Sequence, residues 1–104
     1  MQKRGATFDY PFEETTRVYR VANKIFALID ELEPLSVNLK CNPIYALELR
    51  SLYSGIVGGY HMNKKHWNTV ALNSDVKDEL LFVLIEHSYE LVFKSLPKRV
   101  REAL

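Results

Sequence analysis

The chain has 104 residues, with 14 Lys and Arg against 13 Asp and Glu, so its formal net charge is only +1. That length suits a single domain over residues 1–104 with one core burying roughly 65% of the unfolded surface, and near-neutrality excludes overall charge as an attraction for nucleic acid or membrane. The lone cysteine, Cys41, excludes an internal disulfide, no apolar run approaches the ~18 residues that span a bilayer, and the opening MQKRGATFDYP lacks a signal peptide's apolar core; a reducing cytoplasm is therefore expected.

Met1 to Thr16 shows no clear helix or strand, but Phe8, Tyr10 and Phe12 gather three rings around Pro11, expected to cap one end of the core. Arg17 to Ile29 reads as a β-hairpin, since RVYRV and IFALI are rich in β-branched and aromatic residues. Asn23 tolerates positive φ more readily than Ala22, which predicts a three-residue turn over Ala22, Asn23 and Lys24 with Asn23 left-handed. The second of these strands, almost free of polar residues, should be the more central. Leu35 to Lys40 alternates cleanly, with Leu35, Val37 and Leu39 inward and Ser36, Asn38 and Lys40 outward, as a half-buried strand does.

Asn42 then caps a helix that Pro43 opens, with Tyr45, Leu49, Leu52 and Tyr53 at helical spacing and Gly55 as the stop. Ile56–Tyr60 and His66–Leu72 pair as a second hairpin tipped by Asn63, Lys64 and Lys65. Trp67, Thr69 and Ala71 share one face of it, and His66, Asn68, Val70 and Leu72 the other. Gly58 and Gly59 mark a bulge or a close backbone approach. Ser74 is the expected cap of a long helix over Asp75–Ser95, with Leu81, Leu84, Ile85, Ser88, Leu91 and Val92 inward, widened by Leu80 and Val83. Leu96-Pro97 ends it, and Lys98 to Arg101 start a basic tail.

Charge is uneven along this path. Pro34 to Leu72 holds Lys40, Arg50, Lys64 and Lys65 against Glu48 alone, a local excess of +3, with acids on either side. His61 and His66, five apart on a hairpin, point to opposite faces and make a poor metal pair. Cys41 has no nucleophile signature around it, and there is no glycine-rich phosphate loop. The stretch from Gly58 to Thr69 is different, because Lys64 and Lys65 at a turn tip beside Tyr60, Asn63, Trp67 and Asn68 combine phosphate-directed charge, stacking rings and amide readers. The plainer alternative, core rings and a solvated lysine turn, stays open at this point.

DYPF (Asp9–Phe12), KIFALI (Lys24–Ile29), VNLKCNP (Val37–Pro43), GYHMNKKHWNTV (Gly59–Val70), HSYELV (His87–Val92) and LPK (Leu96–Lys98) together resemble the MmcQ/YjbR-like family of small bacterial proteins over nearly the whole chain. The resemblance implies an α+β fold in which an antiparallel sheet of about five strands packs against helices, similar to secretion chaperones and frataxin-like proteins. It also implies that the helix relatives carry before the Asp9 block is short or truncated here. Family members carry a proposed double-wing DNA-binding motif, in which β-hairpins are the wings, and Ala22-Asn23 stands where relatives often have glycines. The resemblance thus implies a non-enzymatic DNA-binding protein, with no catalytic residue, cofactor or metal to transfer. On that reading Lys64, Lys65 and Lys40 neutralise phosphates, Tyr60, Trp67 and His66 offer rings, Asn63 and Asn68 donate hydrogen bonds, and the Lys98–Arg101 tail extends the footprint. Two rivals remain: a protein-interaction module with an exposed apolar patch at Phe8, Tyr10 and Phe12, and a small-molecule site built on Tyr60, His61, His66, Asn68 and Cys41.

Overall fold

The computed structural model describes residues 4–12, 15–32, 35–59 and 62–104. Among them, six antiparallel strands and three helices follow in the order β1 (Ala6–Asp9), β2 (Thr16–Val21), β3 (Lys24–Asp30), β4 (Ser36–Lys40), α1 (Pro43–Leu52), β5 (Ile56–Gly58), β6 (Trp67–Ala71), α2 (Asp78–Ser95) and α3 (Lys98–Ala103). The sheet order is β1-β2-β3-β4-β6-β5, so β3 is interior as its apolar sequence requires. The α+β expectation holds with one strand more than foreseen.

Cross-strand partners share a face of the sheet. The register Tyr19–Ala27–Leu39–Asn68–Gly58 and Ile29–Val37–Val70–Ile56 therefore defines one face. On it α2 packs over β3 and β4, and α1 over β5 and β6. The core lies between these layers, built on Val21, Phe26, Val37, Leu39, Leu49, Ile56, Val70, Leu84 and Val92. Among the described residues no helix is long and apolar enough to cross a membrane.

One irregularity holds the two layers in place. Between Tyr19 and Arg20 the β2–β3 register shifts, which leaves Phe26 without a cross-strand partner. This is a β-bulge. The fully buried Ser88 of α2 answers it, donating its hydroxyl proton to the Phe26 carbonyl at 2.6 Å while accepting the Lys40 N–H at 2.8 Å. A serine in the inward stripe is thus the hydrogen-bonding centre of the helix–sheet contact.

Several expectations are corrected. Ala6–Asp9 is a strand, paired with β2 from Ala6–Val21 to Asp9–Val18. The rings in and after it lie largely at the surface: Phe8 is 56% and Phe12 69% exposed, and Phe8 meets the core ring Tyr19 at 5.4 Å on one side while the Arg17 guanidinium lies over it at 5.1 Å. The first hairpin has a two-residue turn, since Val21 pairs Lys24 and both Ala22 (φ 49°) and Asn23 (φ 68°) are left-handed. Such a turn matches the twist of the strands, and this outweighs the cost at Ala22.

The long helix starts at Asp78, without a side-chain cap. Asp75 instead binds the turn before β5, accepting the Ser54 and Gly55 N–H groups at 2.8 Å each, and these bonds hold its carboxyl below the usual range. A Cβ on Gly55 would stand 2.3 Å from the Ser74 hydroxyl oxygen, so close approach, more than helix termination, calls for glycine there. Leu52 and Val83, expected inward, are 65% and 55% exposed. The basic tail is helical, as α3.

Candidate nucleic-acid interface

The loop from Gly59 to His66 is shaped by its own polar groups. The Asn63 side-chain oxygen accepts the Lys65 N–H at 2.9 Å, an Asx turn, and the Asn63 carbonyl accepts the His66 and Trp67 N–H groups at 3.2 and 3.0 Å. Gly59 donates to the Trp67 carbonyl at 2.8 Å, and a Cβ on Gly59 would meet that of Trp67 at 2.7 Å. The close approach foreseen for the glycine pair is real. Arg50 of α1 pins the loop from beside it, with Nε on the Asn68 side-chain oxygen at 2.7 Å and Nη2 on the carbonyls of Trp67, at 3.2 Å, and of Lys64.

The expected site residues divide accordingly. Lys65 is exposed at the tip. Lys64 is exposed too but folds back, its ammonium donating to the Gly59 carbonyl at 3.2 Å. Asn63 spends its oxygen on the turn. Lys40 and Trp67 form a half-buried cross-strand pair on the sheet face away from the helices, while half-buried His66 accepts the Cys41 N–H at 2.8 Å through its carbonyl. Asn68 corrects the reading of it as an outward reader: it is 3% exposed, with its oxygen on Arg50 and its amide donating to the Ala46 carbonyl at 3.5 Å. Tyr60 and His61 lie outside the described residues.

Sequence reasoning counted Arg50 in the basic stretch without seeing its task. A guanidinium in the last turn of a helix ending three residues before a strand was the available signal.

The small-molecule alternative loses its inner members. Cys41 and Asn68, with Leu84 and His87, line a space of only about 10 Å³, about one water. Burial pushes the Cys41 thiol up to about 11, so it stays protonated at neutral pH. Among the described residues no three His, Cys, Asp or Glu side chains are placed to hold a metal ion.

Strand register sorts the charges. At one end of the sheet Thr16, Asp30, Ser36 and Ala71 align; at the other, Val21 pairs Lys24 and Lys40 pairs Trp67. The first end carries Asp30, Glu31 and Asp75, with Arg17 there bound to Glu31 at 2.8 Å. The β2–β3 and β5–β6 turns fall at the second end, which gathers Lys24, Lys40, Lys64 and Lys65. Arg4, just before β1, and α3 join them, since Ala6 pairs Val21 and Arg4 bonds the α3 main chain. From Ser36 to Lys40 the strand advances roughly 14 Å, nearly two Debye lengths of about 8 Å at physiological salt. Asp30, Glu31 and Asp75 therefore do not cancel the basic end.

The chain is a small α+β protein whose antiparallel sheet is covered by helices on one face. The family profile YjbR matches residues 1–91, and the chain belongs to the YjbR family. It is 40% identical over 91 residues to YbdF of Escherichia coli O157:H7, covering 86% of this chain and 75% of that one. Against YjbR of E. coli K12 identity is 31% over 105 aligned positions, covering 100% and 89%. The crystal structure of Deinococcus radiodurans DR2400, domain DUF419, superposes with a TM-score of 0.89 at 38% identity, covering 95% of this chain and 77% of that one. A Pseudomonas syringae protein superposes with a TM-score of 0.76 at 30% identity, covering 88% and 90%.

Proposed function

We propose that the domain binds nucleic acid, DNA foremost, at the end of the sheet where both hairpins turn, and performs no chemistry on it. The clustering of lysines carries this reading: Lys24 flanks the β2–β3 turn, Lys64 and Lys65 lie on the β5–β6 turn beside α1, and Lys40 stands at the same end of β4. Lys65, Lys64 and Lys24 neutralise phosphates, and the Trp67 ring beside Lys40 supplies a stacking surface. Arg50 and Asn68 support the loop from within.

Fluorescence anisotropy with a short labelled duplex at low salt tests this. Affinity should fall in Lys64→Ala/Lys65→Ala and again in Lys24→Ala, and the slope of log K against log salt should become shallower by about 0.9 for each B-DNA phosphate that is no longer neutralised. Binding weaker than about 1 mM, or unchanged in the double variant, overturns the reading.

A protein-interaction surface is the second reading, favoured by one observation: Phe8 and Phe12 are 56% and 69% exposed, beside Tyr10. A stoichiometric partner that survives nuclease and high salt, and is lost on Phe8→Ser/Phe12→Ser, would support it; retention by that variant removes it.

A further inference from the structure

The chain's first described residues meet its last helix in a concavity of about 250 Å³ lined by Arg4, Phe93, Lys98, Arg101 and Glu102. Arg4 is fixed there by main-chain oxygens and a ring. Its Nε and Nη2 donate to the main-chain oxygens of Leu104 and Arg101 at 2.6 and 3.0 Å, its own carbonyl accepts the Tyr89 hydroxyl, and its guanidinium lies 5.8 Å from the centre of the Phe93 ring.

Arg101 brings a second guanidinium, whose Nε–H is shielded from water and meets no hydrogen-bond acceptor; among the described residues it is the one buried side-chain polar atom in that position. Lys98 adds an ammonium. Glu102, the acid of the group, stands 3.9 Å from Lys98, with both side chains largely exposed. Among the lining side chains three cations stand against one carboxylate, in a space smaller than the roughly 300 Å³ at which drug-sized sites begin.

We infer that this concavity binds a phosphoryl group, gripped by Arg4, Lys98 and Arg101 beside the Phe93 ring. A tetrahedral anion suits this excess of cationic side chains, and its several oxygens suit two planar guanidinium forks and an ammonium approaching from different elements. The source is either free phosphate or the terminal phosphate of a nucleic-acid strand, since the concavity opens at the same end of the sheet as the two hairpins. The site stands apart from Lys64 and Lys65.

Titrating the whole chain with inorganic phosphate, with arginine Nε–Hε resonances followed by NMR and chloride as control, tests it. A saturable shift of Arg101 and Arg4 is expected, weakened by at least about tenfold in Arg101→Gln and in Lys98→Ala and unchanged in Lys64→Ala/Lys65→Ala. Lys98 is a surface residue, so its variant keeps the test sound should Arg101→Gln perturb α3. No saturation by about 50 mM phosphate, or a shift persisting in both variants, overturns the site whatever becomes of duplex binding. Oligonucleotides with a 5′-phosphate or a 5′-hydroxyl then separate the sources. Preference for the phosphorylated strand, lost in Arg101→Gln, assigns the strand end; equal binding beside a retained phosphate shift assigns the free ion.

Discussion

At the residue scale, Ser88 and His87 show how much one helix position decides. Removing the Ser88 hydroxyl strands the Lys40 N–H and the Phe26 carbonyl in a core where neither reaches water. Ser88→Ala should therefore cost about 1–3 kcal/mol, seen in urea as a lower midpoint at unchanged slope. His87 accepts the Asn42 N–H on Nε2 at 3.3 Å and meets the Tyr45 ring edge-on at 5.3 Å. Burial lowers its pKa from the ordinary 6.5, so the folded state prefers the neutral ring. The unfolded chain then binds the proton more tightly, and this contribution is complete above about pH 6.5 and fades as pH falls below it. Denaturant midpoints across that range should show the decline, and His87→Gln, which titrates no proton, should flatten it. The Ser88 role was not legible from spacing: Ser88 read as one more inward position, because a hydrogen bond to a bulge depends on a register the sequence does not display.

At the element scale, patterning located what period and caps encode. Alternation in Leu35–Lys40 gave β4, and Asn42-Pro43 gave the start of α1, where the Asn42 oxygen accepts the Ile44 and Tyr45 N–H groups. What escaped were the elements set by tertiary pairing. β1 is four residues long with three of them exposed, so no inward face marks it. The start of α2 was misplaced because Ser74 and Asp75 look like a cap and first turn while Asp75 is held by Ser54 and Gly55. The first hairpin puts Ala22 in a left-handed conformation that costs an L-residue roughly 1–2 kcal/mol. Ala22→Gly should remove that strain and, after the glycine's larger loss of backbone freedom, raise stability by about 0.5–1 kcal/mol. A thermal melt that shifts down would show that the Ala22 methyl packs usefully, since it lies against the core.

At the scale of the whole molecule, the basic stretch visible between Pro34 and Leu72 was half the pattern. Lys24 and Arg4 lie far from it in the chain and reach the same end only through antiparallel pairing, which no local count reveals. Of the side chains singled out in the central hairpin, Lys65 is exposed and Asn68 belongs to the core, a division that turned on Arg50 reaching across from α1.

The separation of charge has a consequence that the net value of +1 conceals. With an isoelectric point near 7.9, the protein at that pH has no overall reason to adhere to any ion exchanger. Yet it carries opposite poles roughly 14 Å apart along the sheet, and each resin would meet the pole it attracts. In dilute buffer at its isoelectric point it should be retarded on cation and anion exchangers alike, lying down in opposite orientations on the two. Lys64→Ala/Lys65→Ala should elute earlier from the cation exchanger alone, so that chromatography reads the molecule's polarity directly.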